Sequence, residues 1–211
     1  KPASVLVPLV NRAPGITVLL TQRTADMPSH AGQVAFPGGR RQTEDIDAAV
    51  RIGHVHLKVA DLQRSLDFYC GVLGFQLMQR FGSQAAFISA GGYHHHIGLN
   101  TWESANGTKP PEGSTGLYHF AILVPSRKEL ARVLKRLMDN KWPIEGVSDH
   151  GVSEAIYLND PDGNGIEIYT DRPRSKWEYD SKGKLIMYTR RLDIDNLLQE
   201  LSKTISHRRV A

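Results

Sequence analysis

Two histidines sit in matching surroundings. His54 lies in Arg51-Ile52-Gly53-His54-Val55-His56-Leu57-Lys58-Val59, and His119 lies in Gly116-Leu117-Tyr118-His119-Phe120-Ala121-Ile122-Leu123-Val124. Both runs alternate polar and apolar residues, the pattern of a half-buried β-strand. Each histidine is followed seven residues later by a side chain suited to capping a helix, Asp61 and then Ser126. The offset is 65 residues for both pairs, which marks an internal duplication. A lone strand histidine is ordinarily a hydrogen-bonded structural residue. Two of them, repeated in register, aim two imidazoles at one point when their strands lie side by side. Glu167 supplies a carboxylate. It alternates with Ile166 and Ile168, so if the isoleucines face the helices it faces the concave side of a sheet. Two imidazoles and one carboxylate leave adjacent coordination positions open, which suits non-haem Fe(II). Mn(II), Ni(II) or Zn(II) in the same place would suit Lewis-acid isomerisation or addition. His56 shares the face of His54 and is a candidate either to support that ligand or to replace it.

The elements that must hold these groups are legible as two copies of one plan. After the His54 strand, Asp61 caps a helix with Leu62, Leu66, Tyr69 and Leu73 on one face, ending at Gly71 and Gly74. Strands are expected near 75–80, 85–90 and 95–100. In the second copy Ser126-Arg127-Lys128-Glu129 is a capping box, and Leu130, Val133, Leu134, Leu137 and Met138 form the apolar face. Strands are expected near 143–147, 154–159 and 165–170, the last two joined by the turn Asp160-Pro161-Asp162-Gly163-Asn164-Gly165. The expected fold is therefore α+β: paired βαβββ units forming a curved mixed sheet around a metal site, with a short β-rich N-terminal fragment and a C-terminal helical extension. The boundaries expected are 1–50, 51–171 and 172–211.

Residues 4–10 and 16–22 read as strands joined by a turn at Pro14-Gly15. The segments Leu19-Leu20-Thr21-Gln22-Arg23-Thr24 and Phe36-Pro37-Gly38-Gly39 resemble the start of a Nudix hydrolase of the coenzyme A pyrophosphatase branch. That resemblance implies a Nudix box opening at Gly39, with Asp45 as its first acidic residue. The family's acidic helix does not follow. After Ala48-Ala49-Val50 the chain enters the His54 strand, so the carboxylates that would hold magnesium are missing.

The 211 residues carry a formal net charge of +4. Residues 51–171 hold eleven Lys/Arg against thirteen Asp/Glu, whereas residues 172–211 hold ten against five. The basic excess therefore belongs to the tail and reads as a solvated surface rather than a nucleic-acid site. No apolar run approaches the ~20 residues that span a bilayer, so no membrane partner is expected. Cys70 is the single cysteine, which fits a reducing, cytoplasmic location without a disulfide framework. Asp193 opens an expected tail helix over 193–203 whose stripe of Ile194, Leu197, Leu198 and Leu201 would pack on the domain or on a second subunit, making a homodimer the expected assembly.

Residues 51–171 resemble the vicinal oxygen chelate superfamily of glyoxalases, bleomycin- and fosfomycin-resistance proteins and type I extradiol dioxygenases. The match rests on the two histidine strands and on the Asp160–Asn164 turn ahead of Glu167. The resemblance implies that His54, His119 and Glu167 bind the metal. It is nearest to the catechol 2,3-dioxygenase-like branch, which implies a histidine at the end of the first half, falling on His95 in Tyr93-His94-His95-His96. It also implies a histidine before the last hairpin, His150, and a tyrosine ten residues before the glutamate, Tyr157. Their implied tasks are to take a catechol proton, to hydrogen-bond the oxygen intermediate and to contact a substrate oxygen. The implied reaction is Fe(II)-dependent extradiol cleavage of a small catechol-like aromatic diol by dioxygen. A glyoxalase-like isomerase or thiol transferase, and a non-catalytic protein that binds an aromatic ligand, are the alternatives. Glyoxalase I would call for a further acidic ligand near Gly98, where there is none.

The missing acidic helix sets an expected outcome. With magnesium, the full chain should hydrolyse neither coenzyme A nor nucleoside diphosphates in a phosphate-release assay, and turnover abolished by changing Asp45 would contradict this.

Overall fold

The computed structural model describes residues 46–203 and, within residues 1–45, the backbone of six short strands. These are β1 (Ala3–Val5), β2 (Leu9–Arg12), β3 (Gly15–Val18), β4 (Thr21–Gln22), β5 (Val34–Ala35) and β6 (Gly38–Arg40). β2 and β3 form the expected hairpin, with Arg12 opposite Gly15. The first expected strand is divided, since β1 pairs with β6 instead. Most of the Nudix-like motif, including Leu19, Leu20, Arg23, Phe36, Pro37 and Asp45, lies outside the described residues. The chain divides into two compact units, Lys1–Arg51 and Ile52–Ala211.

The second unit contains the duplication. Its first half runs β7 (Val55–Lys58), α1 (Leu62–Leu66), a π-helical turn (Asp67–Val72), β8 (Gln76–Phe81), β9 (Ala85–Ser89) and β10 (Ile97–Asn100). Its second half runs β11 (Phe120–Leu123), α2 (Arg127–Asp139), β12 (Gly146–Asp149), β13 (Ser153–Asn159) and β14 (Gly165–Asp171). The sheets repeat one order: β7-β10-β9-β8 and β11-β14-β13-β12. In each, the first strand lies parallel to the last, and the other pairs are antiparallel. Two βαβββ units are thus present as expected.

Caps and apolar faces explain the helices. Asp61 accepts from the Arg64 amide at 2.9 Å, and Ser126 from the Glu129 amide at 3.2 Å. The first helix departs from the 3.6-residue expectation at its π-helical turn, whose extra residue per turn rotates both Phe68 and Tyr69 into the core. Leu73 is left only partly buried. On α2, Leu130, Ala131, Leu134 and Leu137 are buried, while Met138 stays 51% exposed against expectation. The second histidine strand is also shorter than its alternating pattern. Ordered pairing begins at Phe120, after Leu117 and Tyr118, which remain exposed.

The halves are joined at the hairpin turn. Asp162 accepts from the Ala60 amide at 3.2 Å and pairs with Arg64. Asp160, 4% exposed, accepts from the hydroxyl of the fully buried Tyr69 at 3.0 Å and from the amides of Asp162 and Asn164. Burial and the neighbouring Asp160 push the Tyr69 hydroxyl well above the usual tyrosine range, so it remains a donor. Beside this turn, a Cβ on Gly165 would collide with the Tyr118 carbonyl, so only glycine lets β14 start there.

The tail is part of this unit. β15 (Arg190–Arg191) adds to the sheet against β12, an element with no signal in the sequence. The expected helix is present as α3 (Ile194–Leu198), capped by Asp193 and followed by a 3₁₀ turn (Gln199–Leu201). Its stripe packs on the core cluster of its own chain, with Leu197 fully buried. That contact leaves the stripe no part in arguing for a homodimer. Arg127 and Arg172 both pair with the buried Glu154, tying the tail to the start of α2 through Glu200 and Asn196. Among the described residues no helix is long and apolar enough to cross a membrane.

The clamp between the halves can be weighed. Asp160→Ala strands the buried Tyr69 hydroxyl and two turn amides and should cost about 2–3 kcal/mol in a urea titration. Tyr69→Phe removes the donor cleanly and should cost about 1 kcal/mol. The double variant should be little worse than Asp160→Ala alone, whereas simple additivity would contradict the coupling.

Candidate functional site

The duplication has diverged at one register position. His54 and His119 each stand one residue ahead of the edge strands β7 and β11. Two residues further on, His56 lies opposite Gly98 on β10, and Ala121 lies opposite Glu167 on β14. Gly98 is therefore the counterpart of Glu167, and only the second half has a carboxylate there. A Cβ on Gly98 would come within 2.9 Å of the His56 ring, so the imidazole occupies the space a side chain would need.

In the second half the expected groups converge. Ile166 and Ile168 are buried against the core, which turns Glu167 to the opposite face. Glu167 Oε2 lies 3.1 Å from His119 Nε2, and Oε1 accepts from the Tyr157 hydroxyl at 2.9 Å. Tyr157 is placed for this by register, directly across β13 from Glu167. Its hydroxyl also meets His150 Nε2 at 2.8 Å, and His150 Nδ1 meets the Tyr188 carbonyl at 3.0 Å. Burial first, then the hydrogen bond and charge of Glu167, raise the Tyr157 hydroxyl far above the usual tyrosine range. It keeps its proton at neutral pH and can serve as a donor.

The first half forms a separate group. The His95 ring sits 4.5 Å from His54 and 5.0 Å from Phe87, centroid to centroid. His95 lies in the turn ahead of β10, not on the strand as expected. Three successive histidines cannot all follow a pleat, and the chain resolves them differently. His94 Nδ1 faces His95 Nδ1 at 2.7 Å. His96 Nδ1 is engaged with Ser89 and the Ala90 amide, a structural role. Burial and the neighbouring His54 lower both His56 and His95 from the ordinary histidine value, with His94, His56 and His96 adding to the effect on His95. Trp102 and Phe87 flank His56 at 5.8 and 6.0 Å.

The structure therefore assembles His119, Glu167, Tyr157 and His150, and keeps His54 with His95. Among the described residues no three His, Cys, Asp or Glu side chains stand close enough to hold a metal ion. His54 and His119 do share a cavity of about 1020 Å³ between the edges of β7 and β11. Glu167, Tyr157 and His150 are not in its walls. The donors fit a divalent ion in kind. Two ligands about 2.1 Å from one ion, at right angles, stand about 3 Å apart, as His119 and Glu167 do. Glu167 is 16% exposed, and among the described residues its ion-pair partner is an imidazole, not a lysine or arginine. Sequence reasoning missed the Tyr188 carbonyl and the Thr189 hydroxyl, 3.3 Å from His150 Nδ1. A main-chain acceptor in a tail leaves no mark in residue type.

Residues 51–168 match the model of the Glyoxalase/Bleomycin resistance protein/Dioxygenase superfamily. A catechol-2,3-dioxygenase of Bacillus subtilis (strain 168) is 49% identical over 150 residues, 71% of this chain and 51% of that protein. The chain thus spans about half the length of this curated relative. A probable nudix hydrolase of Schizosaccharomyces pombe is 58% identical over 43 residues, 20% of this chain and 15% of that protein, a partial likeness. The crystal structure of a glyoxalase/dioxygenase from Nostoc punctiforme superposes with a TM-score of 0.50 at 20% identity, covering 61% of this chain and all of that one, which bears out the fold. More than half of the residues lie inside the matched model, and the chain belongs to the Glyoxalase/Bleomycin resistance protein/Dioxygenase superfamily.

Proposed function

We propose that this chain carries the active site of an Fe(II)-dependent extradiol dioxygenase that cleaves a catechol-like aromatic diol, with His54, His119 and Glu167 as metal ligands. The carrying observation is the hydrogen-bonded series Glu167–Tyr157–His150 beside His119. Ring cleavage needs both a ligand set and a donor chain next to it, and this series supplies the donors. The likeness to a protein named catechol-2,3-dioxygenase points the same way. Gly98 supports it as well. The register position that would carry a further acidic ligand is filled by the His56 ring, which favours a three-ligand site over a glyoxalase-like one.

Iron bound there would supply a Lewis-acidic centre with adjacent open positions for both ring oxygens and dioxygen. The remaining work falls to the chain. His119 and Glu167 are already at ligand spacing, and His54, which lines the same cavity as His119, would complete the set. Tyr157 holds its proton and steadies Glu167, and on this reading its hydroxyl would contact a substrate oxygen. His150 Nε2 receives or returns a proton through the Tyr157 hydroxyl. His95, whose ring lies against His54, is the base this reading assigns to the catechol proton.

Reconstitution with Fe(II) without air, followed by a panel of catechols in air, should give oxygen uptake and a yellow ring-opened product. Glu167→Gln removes the anionic ligand at constant volume and should lose iron by metal analysis. His150→Phe should keep iron near stoichiometric while kcat falls about 10²-fold. The proposal is overturned if no catechol drives oxygen uptake and the nickel- or zinc-loaded chain isomerises a thiol hemithioacetal instead.

A further inference from the structure

His150 follows the last residue of β12, and the Tyr157 hydroxyl, on β13 of the same sheet, meets its ring at Nε2. Asp149, just before it, is fixed on both oxygens: Oδ1 accepts from the Gly151 amide at 2.8 Å and Oδ2 pairs with Arg172 at 2.8 Å. What meets the other ring nitrogen, Nδ1, comes from the tail. The Tyr188 carbonyl lies 3.0 Å from His150 Nδ1, and the Tyr188 amide returns a bond to the His150 carbonyl at 3.3 Å. Register then continues into β15, with Arg190 opposite Asp149. The Tyr188 side chain is wedged in place. Its ring fills the space over Gly151, where a Cβ would come within 2.8 Å of a ring carbon, and the Arg190 guanidinium sits 4.1 Å from the ring centroid. Gly151 also has φ of +79°, a conformation that other residues adopt only with strain.

We infer that Tyr188 is the positioning residue of His150: its main-chain carbonyl holds the Nδ1 proton, so that Nε2 is the nitrogen presented to Tyr157. A carbonyl oxygen has no hydrogen to give, so the proton of this bond belongs to Nδ1. The Thr189 hydroxyl, at 3.3 Å from the same nitrogen, then accepts from it as well. With Nδ1 committed, a neutral His150 offers a lone pair at Nε2. The single Tyr157 proton then lies between two acceptors, Nε2 at 2.8 Å and Glu167 Oε1 at 2.9 Å. When Nε2 takes up a proton it becomes the donor to the Tyr157 oxygen, and the Tyr157 hydroxyl, keeping its proton, donates to Glu167 alone. When Nε2 gives that proton up, the Tyr157 hydroxyl can turn to it again. The opposite tautomer would put a permanent donor at Nε2 and a bare nitrogen against a carbonyl, which breaks the series. The catalytic consequence rests on the ring-cleavage reading above, but the tautomer does not.

The test reads the tautomer directly. Two-bond proton–nitrogen spectra of the ¹⁵N-labelled full chain, free of iron and assigned with His150→Gln, should show His150 Nδ1 protonated. A bare Nδ1 with a protonated Nε2 overturns the inference, whatever the enzyme does. Tyr188→Phe keeps both ring and carbonyl and should keep the Nδ1 signature. Gly151→Ala, which forces the Tyr188 ring away, should lose it. A folded Gly151→Ala protein that retains the signature also overturns the role of Tyr188, and the wild-type spectrum decides alone if that variant does not fold. In the iron-loaded enzyme Gly151→Ala should lower kcat about 10-fold, with iron content unchanged and KM within about 2-fold. Absence of any catechol turnover would sink the ring-cleavage reading while leaving the spectra to judge this one.

Discussion

A carboxylate held mostly out of water needs compensation, and Glu167 is the place where this fold meets that requirement. Taking an ionised carboxylate into a protein interior costs several kcal/mol unless charge or hydrogen bonds are supplied. Here one oxygen accepts from Tyr157 and the other faces His119, with the group only 16% exposed. The neighbours follow from that demand. Tyr157 must sit across the β13–β14 ladder, His119 must end the approach to β11, and Ile166 and Ile168 must be buried to turn the carboxylate the other way. An imidazole compensates the charge only when protonated, whereas a divalent cation does so at any pH where the imidazole is neutral. The same residues that make Glu167 tolerable without an ion make it a ligand with one.

The second constraint joins the two halves. The turn Asp160–Gly165 makes the β13–β14 hairpin, and its carboxylates reach across to the start of α1 and to Tyr69. The side chains of Phe68 and Trp142, with ring centroids 4.4 Å apart, and the bond from Arg136 to the Leu73 carbonyl complete the joint. One short loop therefore positions Glu167 within its own sheet and docks the half that carries His54. Duplication alone would have given two equivalent sites. The glycine at position 98, under the His56 ring, leaves a carboxylate in only one of them.

Much of this could be read from the chain. The 65-residue repeat exposed the βαβββ plan, because side-chain periodicity and helix caps are local signals. The turn ahead of Glu167 was legible because its residue types are dictated by backbone conformation. The π-helical turn was not, since one extra residue per turn leaves no compositional trace. The placing of His95 ahead of β10 could not be settled among three adjacent histidines, for which only tertiary contacts decide. β15 and the Tyr188 carbonyl were invisible for a different reason. They act through the main chain, which every residue type shares. Whether the tail stripe faced its own core or a partner was equally open, since an apolar face reads the same in either setting.

The proposed metal site depends on His54 joining His119 and Glu167 around one ion, because the described side chains hold two of the three at ligand spacing and the third beside His95. A crystal structure of the chain loaded with Fe(II) without air, with the iron located by its anomalous scattering, settles that point. One peak bonded to His54, His119 and Glu167 is expected. A peak bonded to His54 and His95 or His94 without Glu167, or no ordered iron beside Glu167, would contradict it.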